Sequence, residues 1–226
     1  MTGLVKAFLL PAPSTVIMSL LRDMPKLLHH AGITLIEAFL GLLIGIGLGF
    51  LCATLMDRFQ VVYRSLYPLV VLTQTIPTIA IAPLLVLWLG YGIAPKVALI
   101  VIVTFFPIAV ALYDGFQSVD KDLLKLLNVM GGTRWQIFRW VKWPASLGSF
   151  FASLRMAVSY AIVGGVIAEW IGGDRGLGVY MTLARKSYAY DKMFAVIFFI
   201  SILSLLLIAF VKVLQKWMMP WEESHD

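Results

Sequence analysis

Charged residues are scarce in this sequence, and only one cysteine is present. Asp, Glu, Lys and Arg make up 13% of the 226 residues, whereas 61% are hydrophobic and the mean hydropathy is +0.92. Soluble domains contain about 25% charged and about 45–50% apolar residues, so this chain has too few polar side chains to cover a water-exposed surface. With Cys52 alone, no intrachain disulfide can form. The composition argues against a soluble enzyme and indicates a polytopic membrane protein.

Several functional motifs are also missing. The sequence contains no G-x-x-x-x-G-K-[ST] phosphate loop, so the chain itself is not expected to hydrolyse ATP. Its net charge of +6 is spread among loops, without the basic block that would indicate nucleic-acid binding. His29 and His30 are expected at the outer interface and His225 lies in the tail, so none is placed with a nucleophile inside the membrane, and no metal-ligand spacing occurs, which argues against a membrane enzyme. An ion-coupled carrier stays open because Glu37 and Glu169 fall within apolar runs, although such carriers usually contain internal repeats and none is found.

Five apolar runs predict an all-α protein with about five transmembrane helices. An amphipathic stretch at 14–28 precedes them, and Pro11 and Pro13 interrupt the beginning of the chain, so no cleavable signal peptide is expected. The chain is accordingly divided into an N-terminal interfacial segment (1–30), a transmembrane domain (31–217) and a C-terminal tail (218–226). The predicted runs are 31–56, 64–90, 94–116, 147–171 and 193–217.

The first two runs carry distinct small-residue and proline patterns. Gly41, Gly45 and Gly49 share one face of the first helix, where small residues allow a neighbouring helix to approach closely in lipid. The second run contains three prolines, so its centre, TQTIPT, is expected to be kinked or broken. Broken backbone at membrane depth must be buried in protein or line a cavity, which makes this segment a candidate for the solute pathway. An ordinary proline kink is the alternative. The predicted pathway or gate residues are Glu37, Gln74, Thr75, Pro77, Glu169 and Trp170.

The polar interruption at 117–146 predicts two short helices that meet at Gly131 and Gly132. Asp120 is suited to cap the first helix, Thr133 is suited to cap the second, and Pro144 closes the segment. A helical hairpin of this size between membrane spans suggests a docking surface, with an amphipathic hairpin on the membrane surface as the alternative. The second interruption, 172–192, is rich in glycine and then in aromatic and basic residues.

The hairpin resembles the cytoplasmic loop of binding-protein-dependent ABC importer permeases. Gly131, the run RWQIF at 134–138 and Pro144 match that loop at the right spacing, but Lys125 stands where the family has a glutamate. The segments LLPAPS, QTIPTIAIAPLLVLWLGYGIAPK, FFPIAVALYDG and IAEWIGGDRGLGVYM extend the resemblance to the nitrate, taurine, sulfonate and pyrimidine-precursor branch. Relatives in this branch commonly carry a further span ahead of LLPAPS, which implies a five-span version or a later start.

The resemblance implies an importer subunit in the bacterial inner membrane. Basic residues are almost evenly divided between the two sides, so the orientation also comes from the resemblance: the hairpin and the C-terminus are cytoplasmic, and the 172–192 loop and the N-terminus are outside. The implied partners are two ABC ATPase subunits holding ATP and Mg²⁺, an extracytoplasmic solute-binding protein, and a second permease copy, with a homodimer favoured over a heterodimer. This chain itself is expected to hold no cofactor and no metal.

Each implied partner has a predicted contact region. The expected ATPase-coupling residues are Lys125, Leu126, Leu127, Met130, Gly131, Thr133 and Arg134. The expected residues for docking the binding protein are Gly173, Asp174, Arg175, Gly176 and Gly178. The cargo is a small organic solute; a thiamine pyrimidine precursor is suggested by TLIEAFLG, and sulfonate, taurine, nitrate and riboflavin-like cargoes are the alternatives.

Overall fold

The computed structural model describes residues 10–221, and within that range the protein is all-α. The predicted interfacial segment before Leu10 and the tail after Trp221 lie outside the described residues. A π-helical turn (Phe138–Lys142) joins the short helix Arg134–Ile137 to the long helix Trp143–Gly172. The helices are α1 (Pro13–Arg22), α2 (Met24–Arg58), α3 (Gln60–Thr73), α4 (Thr78–Leu89), α5 (Ile93–Gln117), α6 (Lys121–Val129), α7 (Arg134–Ile137), α8 (Trp143–Gly172), α9 (Leu177–Lys186) and α10 (Tyr190–Met218).

The prediction of about five membrane spans is confirmed, with one span broken. Between residues 10 and 221, four continuous stretches are long and apolar enough to cross a bilayer: α2, α5, α7 with α8, and α10. Helices α3 and α4 pass the same test only as a pair, and their axes are bent by 101° at the predicted break. Pro77 lies directly before α4, where its missing amide hydrogen costs no helical hydrogen bond.

The first span begins earlier than the sequence pattern suggested. The stretch 14–28 is divided at Asp23 between α1 and α2, so α2 starts at Met24 and not near residue 31. Pro25 lies in the first turn of α2, where proline is tolerated, whereas in the interior of one continuous helix it would remove a backbone hydrogen bond. The proline therefore favours a corner at Asp23.

The centre of the fold consists of α2, α5 and α8. The three glycines of α2 pack directly against α5, so that a Cβ on Gly45 would lie 2.2 Å from the Thr104 Oγ1. Helix α8 completes the core, with Gly115 of α5 against Ser146. The glycines and their neighbours follow one another in the same register on both helices: Gly41 against Ile100, Gly45 against Thr104, and Gly49 against Ile108.

The remaining helices pack around this core. Helix α10 covers α8 through Val211, which joins Phe151 and Leu154 in one apolar cluster. The 172–192 segment contains the ten-residue helix α9. Leu177 of α9 is fully buried with Leu27 of α2 and Val196 of α10, so burial of this apolar side chain holds α9 against the bundle.

Candidate functional site

A buried ion pair joins the first and third membrane spans. The Lys96 Nζ of α5 lies 2.7 Å from the Glu37 Oε1 of α2, and both side chains are only 4% exposed. The Glu37 Oε2 is the one buried side-chain polar atom between residues 10 and 221 that has no hydrogen-bond partner. Glu37, predicted as a pathway residue, therefore lies inside the helix bundle, where the attraction of Lys96 offsets part of the cost of desolvation.

The carboxylate of Glu169, near the C-terminal end of α8, holds the beginning of α9 in place. Its Oε1 accepts a hydrogen bond of 2.6 Å from the Thr34 hydroxyl, and its Oε2 accepts one of 2.6 Å from the backbone N–H of Gly178. The Thr34 oxygen also accepts the backbone N–H of Leu177 at 3.0 Å. Since the first amides of a helix lack intrahelical partners and attract negative charge, a carboxylate suits this position. Glu169 thus anchors α9 to α2 and α8.

Two of the predicted docking glycines lie inside the protein. Gly176 and Gly178 are buried, and a Cβ on Gly176 would lie 2.1 Å from the Glu169 Oε1. Gly176 also has a φ of +120°, which favours glycine. Gly176 and Gly178 therefore shape the loop from inside, Gly173 is partly buried, and docking of the binding protein at this segment stays a prediction. Asp174 and Arg175 are 82% and 69% exposed at their side chains and stay the predicted docking residues.

A second polar cluster is centred on Asp23, between α1 and α2. The Tyr180 hydroxyl donates a 2.7 Å hydrogen bond to the Asp23 Oδ2, and the Lys192 Nζ lies 3.2 Å from the same oxygen. The hydrogen bond from Tyr180, followed by the contact with Lys192, lowers the pKa of Asp23 against the opposing effect of burial. Burial and the neighbouring Asp23 raise the pKa of Tyr180. The cluster ties the corner between α1 and α2 to α9 and α10.

The break between α3 and α4 opens onto a small cavity of about 160 Å³. Gln74 lines this cavity together with Thr73, Thr78 and Tyr160, and the rest of its wall is formed largely by isoleucine and valine. Thr75 and Pro77, which were predicted with Gln74, are exposed beside the break and do not line the cavity. Trp170 is 40% exposed near the end of α8 and lies outside the cavity wall.

The helical hairpin within residues 117–146 has the two helix caps that the sequence predicts. The Asp120 side chain accepts the backbone N–H of Asp122, and Thr133 forms a reciprocal capping box with Gln136. Gly131 connects the two helices with a φ of +84°, a backbone conformation that residues with a Cβ rarely adopt.

Helix α6 of this hairpin has no buried residue. Leu126 is 56% exposed and Met130 is 74% exposed, while Leu127 is half-buried. Lys125, at the departure from the family pattern, forms a 2.7 Å ion pair with the exposed Asp122. The predicted coupling role of Leu126, Leu127 and Met130 is therefore compatible with the structure, because the rest of residues 10–221 buries no residue of α6.

The hairpin is held to the bundle by a contact that sequence reasoning missed. The Lys142 Nζ lies 2.6 Å from the Asp57 Oδ1 at the end of α2, and Gln117 donates to the same carboxylate at 2.9 Å. Lys96 and Thr34 were missed as well. A lysine that directly follows Pro95 in an apolar run is an available signal for a buried cation, but one sequence does not reveal its partner.

Comparisons with known proteins show similarity along nearly the whole chain. Residues 45–221 match the model of the family described as "binding-protein-dependent transport system inner membrane component". The formylaminopyrimidine transport permease ThiX of Halalkalibacterium halodurans is 39% identical over 96% of this chain and 88% of its own. The aliphatic sulfonate transport permease SsuC of Bacillus subtilis is 30% identical over 99% of this chain and 82% of its own.

Solved structures of transporters share the fold. An amino acid ABC transporter with histidines matches with a TM-score of 0.70 over 89% of this chain and 96% of its own. An inward-facing structure of the MetNI methionine ABC transporter matches with a TM-score of 0.63 over 97% and 98%. Both are 17% identical in sequence, so they establish the arrangement of helices alone.

Proposed function

Since the chain belongs to the family of binding-protein-dependent transport system inner-membrane components, and is thus a multi-pass ABC transporter permease subunit, we propose that it imports a pyrimidine precursor of thiamine. The observation that carries this cargo is the 39% identity with the formylaminopyrimidine permease ThiX over 96% of the chain. The sulfonate and taurine permeases are 30% and 28% identical over comparable lengths. A formylated aminopyrimidine is therefore favoured over a sulfonate.

The energy for transport is proposed to enter through α6. The family is a permease family and not an enzyme family, and the sequence contains no phosphate loop. ATP and Mg²⁺ are accordingly assigned to two separate ATPase subunits. Leu126 and Met130 on the exposed face of α6 suit burial in an apolar groove of such a subunit, and a packed helix transmits motion as a unit.

A second copy of this chain is proposed to complete the solute pathway. Met156, Tyr160 and Val163 follow one face of α8 at helical spacing, and each is about half exposed. This face borders the cavity at the break between α3 and α4, because Tyr160 and Val163 also line the cavity. A two-fold axis beside it would cover the apolar face and bring two cavities together. The extracytoplasmic binding protein is assigned to the exposed Asp174 and Arg175.

Reconstitution tests this function directly. The permease is incorporated into liposomes with its ATPase and its binding protein, and uptake of radiolabelled formylaminopyrimidine is measured with and without ATP. Uptake should require ATP and all three components, while labelled taurine should not enter. Omitting the binding protein is the matched control.

Two results would contradict the proposal in different ways. Uptake driven by an ion gradient in liposomes holding this chain alone would make it a secondary carrier. ATP-dependent uptake of taurine without uptake of formylaminopyrimidine would leave the permease function intact and replace the cargo.

A further inference from the structure

The cavity at the break between α3 and α4 contains unused hydrogen-bonding groups. The Gln74 amide, the Thr78 hydroxyl and the Tyr160 hydroxyl all line the cavity, and none of them has a hydrogen-bond partner in residues 10–221. The Thr73 hydroxyl, by contrast, donates to the Val70 carbonyl at 2.7 Å. The three free groups supply donors and acceptors, because an amide carries both and a hydroxyl can act as either.

The same cavity has no formal charge. No Asp, Glu, Lys, Arg or His belongs to its wall as formed by the described residues, and the remainder of the wall is mainly aliphatic. An anion entering such a wall would lose its hydration without gaining a cationic partner, at a cost well above that for a neutral polar group. The buried pair of Lys96 and Glu37 offers no free cation, since the two side chains bond to each other.

The partial charges of the two helix ends at the break are opposite in sign. Thr73 is the last residue of α3 and Thr78 is the first residue of α4, and both line the cavity. The C-terminal end of a helix carries about half a negative charge and the N-terminal end about half a positive charge. Because the two ends face one space, their fields are opposite in sign, which suits a neutral molecule with a donor and an acceptor close together.

We infer that this cavity is where the permease itself contacts its solute, and that it selects a small molecule without formal charges, with adjacent donor and acceptor groups, over a molecule with charged groups. Gln74 bonds to the polar edge of the solute, and Tyr160 supplies a hydroxyl and an aromatic face for a planar ring. An aminopyrimidine has such an edge and such a ring, whereas taurine is a zwitterion whose sulfonate and ammonium groups would each lose hydration in an uncharged cavity. The inference rests on the proposed function and adds a specificity site to it.

The test uses the complete transporter in liposomes and two conservative cavity variants, Gln74→Leu and Tyr160→Phe. The binding protein sets the affinity for free solute, so a site in the permease should change the maximal uptake rate and leave KM unchanged. We expect the maximal rate for formylaminopyrimidine to fall at least about fivefold in each variant, a loss of about 1 kcal/mol of stabilisation.

Matched controls delete the same chemical groups elsewhere. Gln60→Leu removes an exposed amide at the beginning of α3, and Tyr91→Phe removes the hydroxyl of a tyrosine that is 84% exposed. Both controls should keep the wild-type maximal rate within about twofold. Copurification of the ATPase with every variant shows that assembly is intact.

Equilibrium dialysis of the permease–ATPase complex without binding protein measures solute binding to the cavity separately from solute delivery by the binding protein. Labelled formylaminopyrimidine should bind to the wild-type complex and not to Gln74→Leu, and labelled taurine should bind to neither. Wild-type rates and binding in both cavity variants of a transporter that does carry formylaminopyrimidine would overturn the site alone. A wild-type transporter that carries only taurine would overturn both the cargo and the selectivity.

Discussion

The Lys96 ammonium lies 2.7 Å from the Glu37 carboxylate, and this contact joins α5 to α2 inside the membrane-spanning bundle. Removing one partner leaves the other charge buried and unpaired, which typically costs about 3–5 kcal/mol, whereas replacing both by apolar residues is often neutral. We therefore expect Lys96→Met to lower the thermal unfolding temperature of the purified permease strongly, and Glu37→Leu with Lys96→Met to restore most of it. Lys125→Met, at an exposed ion pair, is the control. A double variant as unstable as the single one would contradict this account.

The approach of α2 to α5 depends on the glycine stripe. A Cβ on Gly45 would lie 2.2 Å from the Thr104 Oγ1, whereas a Cβ on Gly47, on the opposite face of α2, would meet no atom within 4 Å. Gly45→Val should lower the yield of folded permease and its unfolding temperature, since overpacking typically costs about 1–3 kcal/mol. Gly47→Val should behave like wild type in the same melting experiment. Equal effects of the two substitutions would show that helix propensity, and not packing, decides the outcome.

The loop before α9 is expected to depend on Gly176. An alanine there would combine a strained φ of +120° with a collision against the Glu169 carboxylate, which Thr34 and Gly178 already hold in place. Gly90→Ala is the matched control, since Gly90 also has a positive φ but its Cβ would meet open space. Both variants should lose stability, Gly176→Ala more than Gly90→Ala, and only Gly176→Ala should reduce uptake severely. Full uptake by Gly176→Ala would contradict the anchoring role of Glu169.

The hairpin predicts different outcomes at neighbouring positions. Gly131→Leu should reduce uptake and release ATP hydrolysis from control by the solute, because a side chain disfavours the φ of +84° that joins α6 to α7. Lys125→Ala should be tolerated, because its exposed ion pair with Asp122 contributes about 0–1 kcal/mol. Solute-stimulated ATPase activity is measured in the reconstituted transporter, with membrane abundance as the control. Normal coupling in Gly131→Leu, or loss of activity in Lys125→Ala, would contradict the assignment of the coupling contact to α6.

Asp23 makes the stability of the folded protein depend on pH in the acidic range. The hydrogen bond from Tyr180 holds its folded-state pKa below the ordinary value of 3.8, so its contribution is complete above that pH and is lost as the pH falls through the lower folded value. Asp23→Asn should therefore flatten the decline in unfolding temperature below about pH 4, where the wild type loses this stabilisation. Asp122→Asn, at a side chain that is 84% exposed, should decline as the wild type does. Identical acid profiles for Asp23→Asn and wild type would refute the assignment.

Much of the architecture follows from local pattern. Apolar runs of sufficient length predict membrane helices because the bilayer core has a fixed thickness. The break in the second run follows from its prolines, and it falls at Pro77, whereas Pro68 and Pro83 lie inside α3 and α4. The caps at Asp120 and Thr133 are likewise confirmed because a cap acts on amides two or three residues away. The family resemblance is also confirmed, and it came from motifs that the sequence displays directly.

The sequence by itself therefore determined the membrane class, the spans, the hairpin and the family. The tertiary structure alone decided which polar residues meet: Glu37 pairs with Lys96 across 59 positions, and Thr34 reaches Glu169 across 135. It also showed that Gly176 and Gly178, predicted as docking residues, are buried, and it placed Tyr160 in the wall of the same cavity as Gln74. The physical reason is that periodicity records which face of a helix is apolar, whereas the partner of a buried charge or glycine depends on how distant helices pack.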